Sequence, residues 1–266
     1  MIECKVCGGV TIASEKVDFN KSCDEAKGNF LPHAGLPIAY LQCNVCKLLF
    51  TTAFDAWSPD DFKKNIYNEA YVTVDPDYVH TRPAYFAKLL LEVCRPHTQL
   101  KVLDYGGGNG TLATLLNKAG VDAASWDPMV ATSFKPAEAS YDLVTAFEVM
   151  EHTPAPKATA TQAVSYLKAD GVLLFSTHVF DDVPQPKTAF WYVAPRNGHI
   201  TLHTRRSLAL LFKPLGYKLH HFNDDIHLAY QTIPGWLDVD NTPFGGSGLR
   251  YKLRQRVQRL KQRLGI

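Results

Sequence analysis

The chain has 266 residues, 46% apolar and 20% charged, a globular composition that excludes disorder as the default and suffices for one large core plus a small appendage. No apolar run reaches the roughly 20 residues that cross a bilayer, and MIECKVCGGV lacks the basic start and apolar core of a secretory signal, so a soluble cytoplasmic protein is expected. The net charge of +2 hides an asymmetry: seven of the 28 Lys and Arg follow Asn241 with no acid among them, leaving 21 bases against 26 acids in the body.

Residues 1–54 carry two C-x-x-C pairs, Cys4/Cys7 and Cys43/Cys46, amid short strand-like runs (GVTIAS, PIAYLQC, KLLFTT) with little core of their own. Two such turns can present four thiolates to a soft cation, so a structural Zn2+ in a small zinc-knuckle domain is expected, with iron in a rubredoxin-like knuckle as the competing metal. The 35 residues between Cys7 and Cys43 are no obstacle, because loop closure costs grow with the logarithm of length. Cys23 and Cys94 have no partner by pattern.

Residues 55–97 read as a helical lid with proline breaks, and 98–240 alternate between apolar strands and amphipathic helices: LKVLDYG, TLATLLNKAG, VDAASWD, YDLVTAFEVMEH, KATATQAVSYLKADG, GVLLFSTHVF, TRRSLALLFKPLGY and IHLAYQTI. That alternation predicts an α/β fold, a mostly parallel Rossmann-like sheet with helices on both faces. In residues 241–266, Leu249, Leu253, Val257, Leu260 and Leu264 form one narrow stripe among cations. The expected basic helix either packs on the body with a solvated face or, through residues 248–266, meets an anionic membrane surface, which would place the protein at its inner face. Nucleic acid is less favoured, because the body is acidic.

The stretch VLDYGGGNGTLATLL places Gly106, Gly107, Gly108, Asn109 and Gly110 between a strand and a helix, where backbone amides are open to a ligand. The turn alone is compatible with several cofactors, and GNGTLA even satisfies a dinucleotide fingerprint. Asp104 argues against a pyrophosphate: a carboxylate at the strand end repels phosphate and attracts the ammonium and sulfonium of S-adenosylmethionine. Asp127 ends the next strand, where an acid can take both ribose hydroxyls; its other reading is a turn residue before Pro128.

VLDYGGGNG, SWDPM and YDLVTAFEVMEHTPAP together resemble the successive motifs of class I S-adenosylmethionine-dependent methyltransferases, over roughly residues 100–235. The resemblance implies a seven-stranded sheet with a reversed last hairpin. Asp104 and Gly106 to Gly110 would hold the methionine portion, Asp127 the ribose, and Phe147 and Glu148 would lie beside the cofactor. The cysteine pairs and NIYNEAYVTVDPDYVHTRPAYF resemble a zinc-knuckle subgroup associated with sugar and surface-glycan modification, in which Tyr71 and Arg82 would approach the methionine end. One departure is PMVATSFKPAEAS, which offers no clear third strand followed by an acid for the adenine amine.

Methyl transfer to a hydroxyl requires alignment and removal of a proton, and a histidine at the carboxyl ends of the strands suits the second task. His152, His178 and His199 qualify by placement, and each has a purely structural alternative. The resemblance favours His199 as base, because an aromatic stretch followed by a histidine, matched here by Trp191, Tyr192 and His199, lies over the acceptor pocket; His178 comes second and Tyr192 is a positioning partner. His199 and His203 need not converge on a loop, so no second metal is expected there. The expected function is methyl transfer to a small-molecule or lipid-linked sugar hydroxyl. The alternatives are a nucleic-acid methyltransferase, a catalytically silent cofactor-binding module and, least favoured, a nicotinamide oxidoreductase.

Overall fold

The computed structural model describes residues 2–94, 99–130, 134–181 and 187–245. The basic stripe from Leu249 onward lies outside them. Along the chain come β1 (Thr11–Asp18), β2 (Pro37–Cys43) and β3 (Leu49–Thr51), then helices α1 (Pro59–Asn65), α2 (Tyr71–Val74) and α3 (Thr81–Cys94). There follow β4 (Lys101–Tyr105), α4 (Thr111–Lys118), β5 (Asp122–Trp126), β6 (Tyr141–Phe147), α5 (Pro156–Ser165) and β7 (Leu167–Ser176). The last described elements are β8 (Thr201–Leu202), α6 (Arg205–Phe212), β9 (Lys218–His221) and β10 (Ile226–Tyr230). No helix among the described residues is long and apolar enough to cross a membrane.

The central sheet runs β5-β4-β6-β7-β10-β9, parallel from β5 to β7 and antiparallel on both sides of β10. Its strands are apolar at consecutive positions because both faces are covered. Val102, Leu143, Val172 and Leu174 face one core with Leu90 of α3 and Leu112 and Leu116 of α4. Their neighbours Leu103, Val144, Leu173 and Phe175 face the other, with Ala160 and Ala163 of α5 and Leu208 and Phe212 of α6. Each such fully buried side chain contributes about 1.5–3 kcal/mol of transfer free energy.

Six strands, not the expected seven, form this sheet among the described residues. The one missing would lie between β5 and β6, where PMVATSFKPAEAS has no alternating or continuous apolar run to bury, so β5 is left as an edge. The start of β7 also precedes the expected position: the chain leaves α5 and pairs at once, Leu167 opposite Tyr141, with an irregularity before Leu143 pairs with Val172. Gly171 sits at that irregularity, where a Cβ would stand 2.8 Å from the Tyr141 carbonyl oxygen.

The amino-terminal strands form a second, antiparallel sheet, β1-β2-β3-β8, whose last member comes from the segment after β7. Leu49 pairs with Leu202 and Phe50 with Thr201. The first fifty residues therefore bury apolar side chains, Tyr40, Leu48, Leu49 and Phe50 among them, against the rest of the chain and not in a core of their own. Capping fixes the helices on either side: Ser58 and Asp61 close a reciprocal box at the start of α1, and Thr204 and Ser207 do so at α6.

Candidate active site

The parallel strands β4, β6 and β7 end along one edge of the sheet, and the glycine turn follows β4 there. Gly106 has φ +74°, and a Cβ on it would lie 2.5 Å from Val149 Cγ2. A Cβ on Gly107 would stand 2.8 Å from Asp104 Cγ, and nearer still to Asp104 Oδ2 and Ser125 Oγ. Only glycine lets the turn fold down onto these side chains. Asn109 Oδ1 accepts from the Thr111 amide at 3.1 Å and the Thr111 hydroxyl at 2.7 Å, organising the start of α4 after Gly110. Asp127, just beyond β5, closes the turn from the side: its Oδ2 accepts from the Gly108 amide at 3.0 Å and its Oδ1 from the Met129 amide at 2.7 Å.

Asp104 lies beneath the turn, 4% exposed, and its Oδ1 accepts the Thr145 hydroxyl at 3.0 Å. Burial pushes its carboxyl up from 3.8 to about 7, against the Thr145 bond and with a small contribution from Asp127. A cation placed beside it would favour the ionised form.

From the end of β6 the chain supplies a second group of side chains. Phe147 stacks face to face on Phe86 of α3, with centroids 3.7 Å apart. Glu148 holds φ at +54°, an uncommon conformation for a residue with a side chain, and is locked there by Ser176: the Glu148 amide donates to Ser176 Oγ at 2.8 Å, and that hydroxyl donates to Glu148 Oε1 at 2.7 Å. Tyr71 packs edge-on between Tyr67 and Tyr78 and donates to the Asn197 carbonyl at 3.1 Å. Arg82 forms a two-pronged pair with Asp75 at 2.9 and 3.0 Å, and the Glu148 charge also acts on it.

Three more residues join at the same edge. Glu151 is fully buried; its Oε1 accepts the Tyr192 hydroxyl at 2.6 Å, and its backbone oxygen accepts from the Ile200 and Thr201 amides. Burial, then repulsion from Glu148, holds its carboxyl well above the usual range. His152 Nδ1 meets the Tyr67 hydroxyl at 3.0 Å, and His199 Nδ1 meets the Tyr192 carbonyl at 2.9 Å. Burial lowers His152 to about 4 and holds His199 well below its ordinary value, so both imidazoles are neutral at pH 7. Cys23, 3.6 Å from His199 Nδ1, is pushed up to about 12 by burial and is an unreactive thiol.

His178 is placed differently. Its Nδ1 faces Asp225 Oδ1 at 2.6 Å, its side chain is 22% exposed, and Phe190, Trp191 and Tyr192 surround the ring. The His178 amide donates to the Tyr192 hydroxyl at 3.2 Å, so Tyr192 links His178 to Glu151. His203 is buried, with its Nδ1 3.1 Å from Ser207 Oγ. Glu151, Asp225 and Tyr67 were not among the residues expected from the sequence. Glu151 could have been suspected as a second acid beside His152 at a strand end; Asp225 requires knowing that β10 runs back so that Ile226 meets Ser176.

Residues 78–221, more than half of the chain, match a family model described as a methyltransferase domain. The chain belongs to this methyltransferase family. Those residues form its methyltransferase domain. No curated protein matches it. Solved structures with a similar fold include an O-methyltransferase family protein from Burkholderia thailandensis, 17% identical over 59% of this chain and 62% of that one, TM-score 0.40. Others are the 1,6-didemethyltoxoflavin-N1-methyltransferase of Burkholderia thailandensis (15% identical, 73% of this chain and 96% of that one, TM-score 0.47) and the magnesium protoporphyrin IX methyltransferase of Synechocystis (16%, 67% and 94%, TM-score 0.43). The chain spans less than two thirds of the length of the first of these.

The four cysteines of the two C-x-x-C pairs meet. Their sulfurs all lie within 4.8 Å of one another, with Cys4 to Cys46 at 3.5 Å and Cys7 to Cys43 at 3.4 Å. The two turns are built alike: Gly8 after Cys7 has φ +70°, and Lys47 after Cys46 has φ +63°. The Val45 and Cys46 amides donate to Cys43 Sγ at 3.3 and 3.4 Å. Cys4, Cys43 and Cys46 share a core with Leu208 and Phe212, and the Thr204 hydroxyl donates to the Cys46 carbonyl at 2.6 Å. The cluster is thereby tied to α6.

Proposed function

We propose that the protein methylates a hydroxyl of a small organic acceptor, a sugar in glycan or nucleotide-sugar synthesis, and that its four cysteines hold a structural Zn2+. The observation that carries the reading is the meeting, at one sheet edge, of a glycine turn flanked by Asp104 and Asp127 with a histidine paired to a carboxylate. S-adenosylmethionine supplies an electrophilic methyl: the carbon–oxygen bond forms as the carbon–sulfur bond breaks, and the bonding pair stays on sulfur.

Asp104 and the turn from Gly106 to Gly110 bind the methionine portion, with Tyr71 and Arg82 at its end; Asp127 binds the ribose, and Phe147 and Glu148 flank the donor. His178 accepts the hydroxyl proton at Nε2. His178 is favoured over His199 because Asp225 takes its Nδ1 hydrogen and part of the ring reaches solvent, whereas His199 is 5% exposed and burial opposes its protonation. For the metal, a tetrahedron of thiolates at about 2.3 Å requires sulfurs roughly 3.8 Å apart, which the cysteine cluster nearly provides. Four thiolates leave no open position, so this ion serves the fold.

The test is a labelled methyl donor offered with a panel of nucleotide sugars, alongside calorimetry with S-adenosylhomocysteine. One site per chain is expected, and absence of binding would remove the proposal. His178→Ala is expected to lower turnover by about 10²–10⁴-fold with donor affinity kept; unchanged turnover would exclude it as the base.

Donor binding is also expected to depend on pH. With Asp104 at about 7 in the empty fold, a cationic donor lowers that value, so below about pH 7 binding releases a proton and affinity falls as the pH drops. Calorimetry in buffers of different ionisation enthalpy reads the released proton; an affinity flat from pH 5 to about 8 would contradict it.

A further inference from the structure

Glu151, His152 and His199 offer ligand atoms that all lie within 4.8 Å of one another, and their chemistry is unlike that of the four thiolates. The His199 Nδ1 sits 2.9 Å from a carbonyl oxygen, which can only accept, so the hydrogen is on Nδ1 and Nε2 carries the lone pair. His152 Nδ1 meets the Tyr67 hydroxyl at 3.0 Å, a contact either atom can donate; in the tautomer with the hydrogen on Nδ1 its Nε2 lone pair faces Glu151 Oε1 at 4.0 Å. The imidazole centroids are 5.0 Å apart. Glu151 Oε2 is fully buried; it makes no geometrically good hydrogen bond among the described residues, and the neighbouring Thr177 hydroxyl, buried and otherwise unpartnered, is the donor that acts on this carboxylate.

Buried imidazoles held at Nδ1 by an outer hydrogen bond, with Nε2 free, are how proteins orient metal-binding histidines. The outer partners are present here: Tyr67 for His152, the Tyr192 backbone for His199, and the Tyr192 hydroxyl for Glu151. We infer that Glu151, His152 and His199 form a binding site for a divalent transition-metal ion, separate from the cysteine cluster. Two nitrogens and a carboxylate suit Mn2+, Fe2+, Co2+ or Zn2+ and do not suit Ca2+ or Mg2+. Glu148 adds a second negative charge nearby, while Arg82, paired with Asp75, is a positive charge that still acts on both imidazoles.

Three protein ligands leave coordination positions open, the opposite of a four-thiolate site. Resting on the methyl-transfer reading, the inference assigns those positions to acceptor oxygens. Acceptors presenting two neighbouring oxygens, such as a vicinal diol, would be preferred, and a hydroxyl bound there would lose its proton to His178 more readily.

The test titrates Mn2+ into the full-length protein loaded beforehand with a single equivalent of Zn2+ per chain, which the four thiolates take first, and follows the free-ion signal by electron paramagnetic resonance. Mn2+ avoids thiolate sites, so one equivalent bound per chain is expected, with at least tenfold weaker binding in Glu151→Gln and His199→Ala. Pulsed resonance on the wild-type complex should detect two imidazole nitrogens, a readout independent of whether any variant folds. No Mn2+ or Co2+ bound at millimolar concentration, or bound ions lacking nitrogen couplings, would overturn the inference. Retained S-adenosylhomocysteine binding in that case would leave the methyl-transfer reading standing, whereas loss of it in the wild type would remove that reading first.

Discussion

Gly107→Ala is expected to lower donor affinity at least about 100-fold while leaving most of the fold intact. The added methyl would enter the space held by Asp104 Oδ2 and Ser125 Oγ, groups on β4 and β5 that have no room to retreat, because β4 lies between two hydrogen-bonded neighbours. The turn must therefore rise, which breaks the Gly108 amide bond to Asp127 and displaces the amides at the start of α4. Overpacking of this kind costs about 1–3 kcal/mol, and the lost donor contacts add to it. Calorimetry with S-adenosylhomocysteine and a thermal melt, compared with Gly108→Ala as a control whose added carbon meets nothing within 4 Å, separate the two effects. Gly108 still requires φ +54°, so its variant should weaken binding through backbone strain alone and by less. Equal affinities for the Gly107 variant and the wild type would contradict the packing argument.

The second large effect is expected at the knuckle. Replacing Cys43 and Cys46 together by serine should remove one equivalent of zinc and leave no folded protein at 37 °C. Apparent binding free energies of structural zinc are about 10–16 kcal/mol, as large as the roughly 5–15 kcal/mol that holds a domain folded. The loss would reach the methyltransferase sheet, because Cys4, Cys43 and Cys46 pack in the core that contains Leu208, Phe212 and Phe175. One cooperative thermal transition should therefore shift or vanish, with no separate amino-terminal step. Metal analysis and circular dichroism decide it: a variant without zinc that melts like the wild type would show that the ion is dispensable.

The central strands are legible in the sequence because burial on both faces writes an unbroken apolar run, as in VLDY and GVLLFS, and the glycine turn is legible because a Cβ has no place there. The two-residue strand β8 is not, since Thr201 and Leu202 carry no period; their pairing with β3 is a tertiary event. The seventh strand was expected from resemblance and is missing among the described residues for want of apolar residues after Asp127. At the site, His178 and His199 could be picked out as histidines near strand ends, but nothing local distinguishes them. Their difference lies in what faces Nδ1, Asp225 for one and a backbone carbonyl for the other, and both partners depend on how distant segments pair. Glu151 is not legible because a carboxylate in a polar loop is ordinarily solvated, and its complete burial follows from the segment that carries Tyr192, Ile200 and Thr201 folding over it.

The pairing of Leu49 with Leu202 bears on how the molecule is made. On the ribosome the amino-terminal hairpin emerges long before its fourth strand exists, so the free side of β3 stays open to stray pairing until nearly the whole sheet behind it has been translated. A cation captured early by the four thiols would hold that hairpin in register during the wait. Zinc starvation should then reveal itself first as aggregation of newly synthesised chains, before any loss in the activity of molecules already folded.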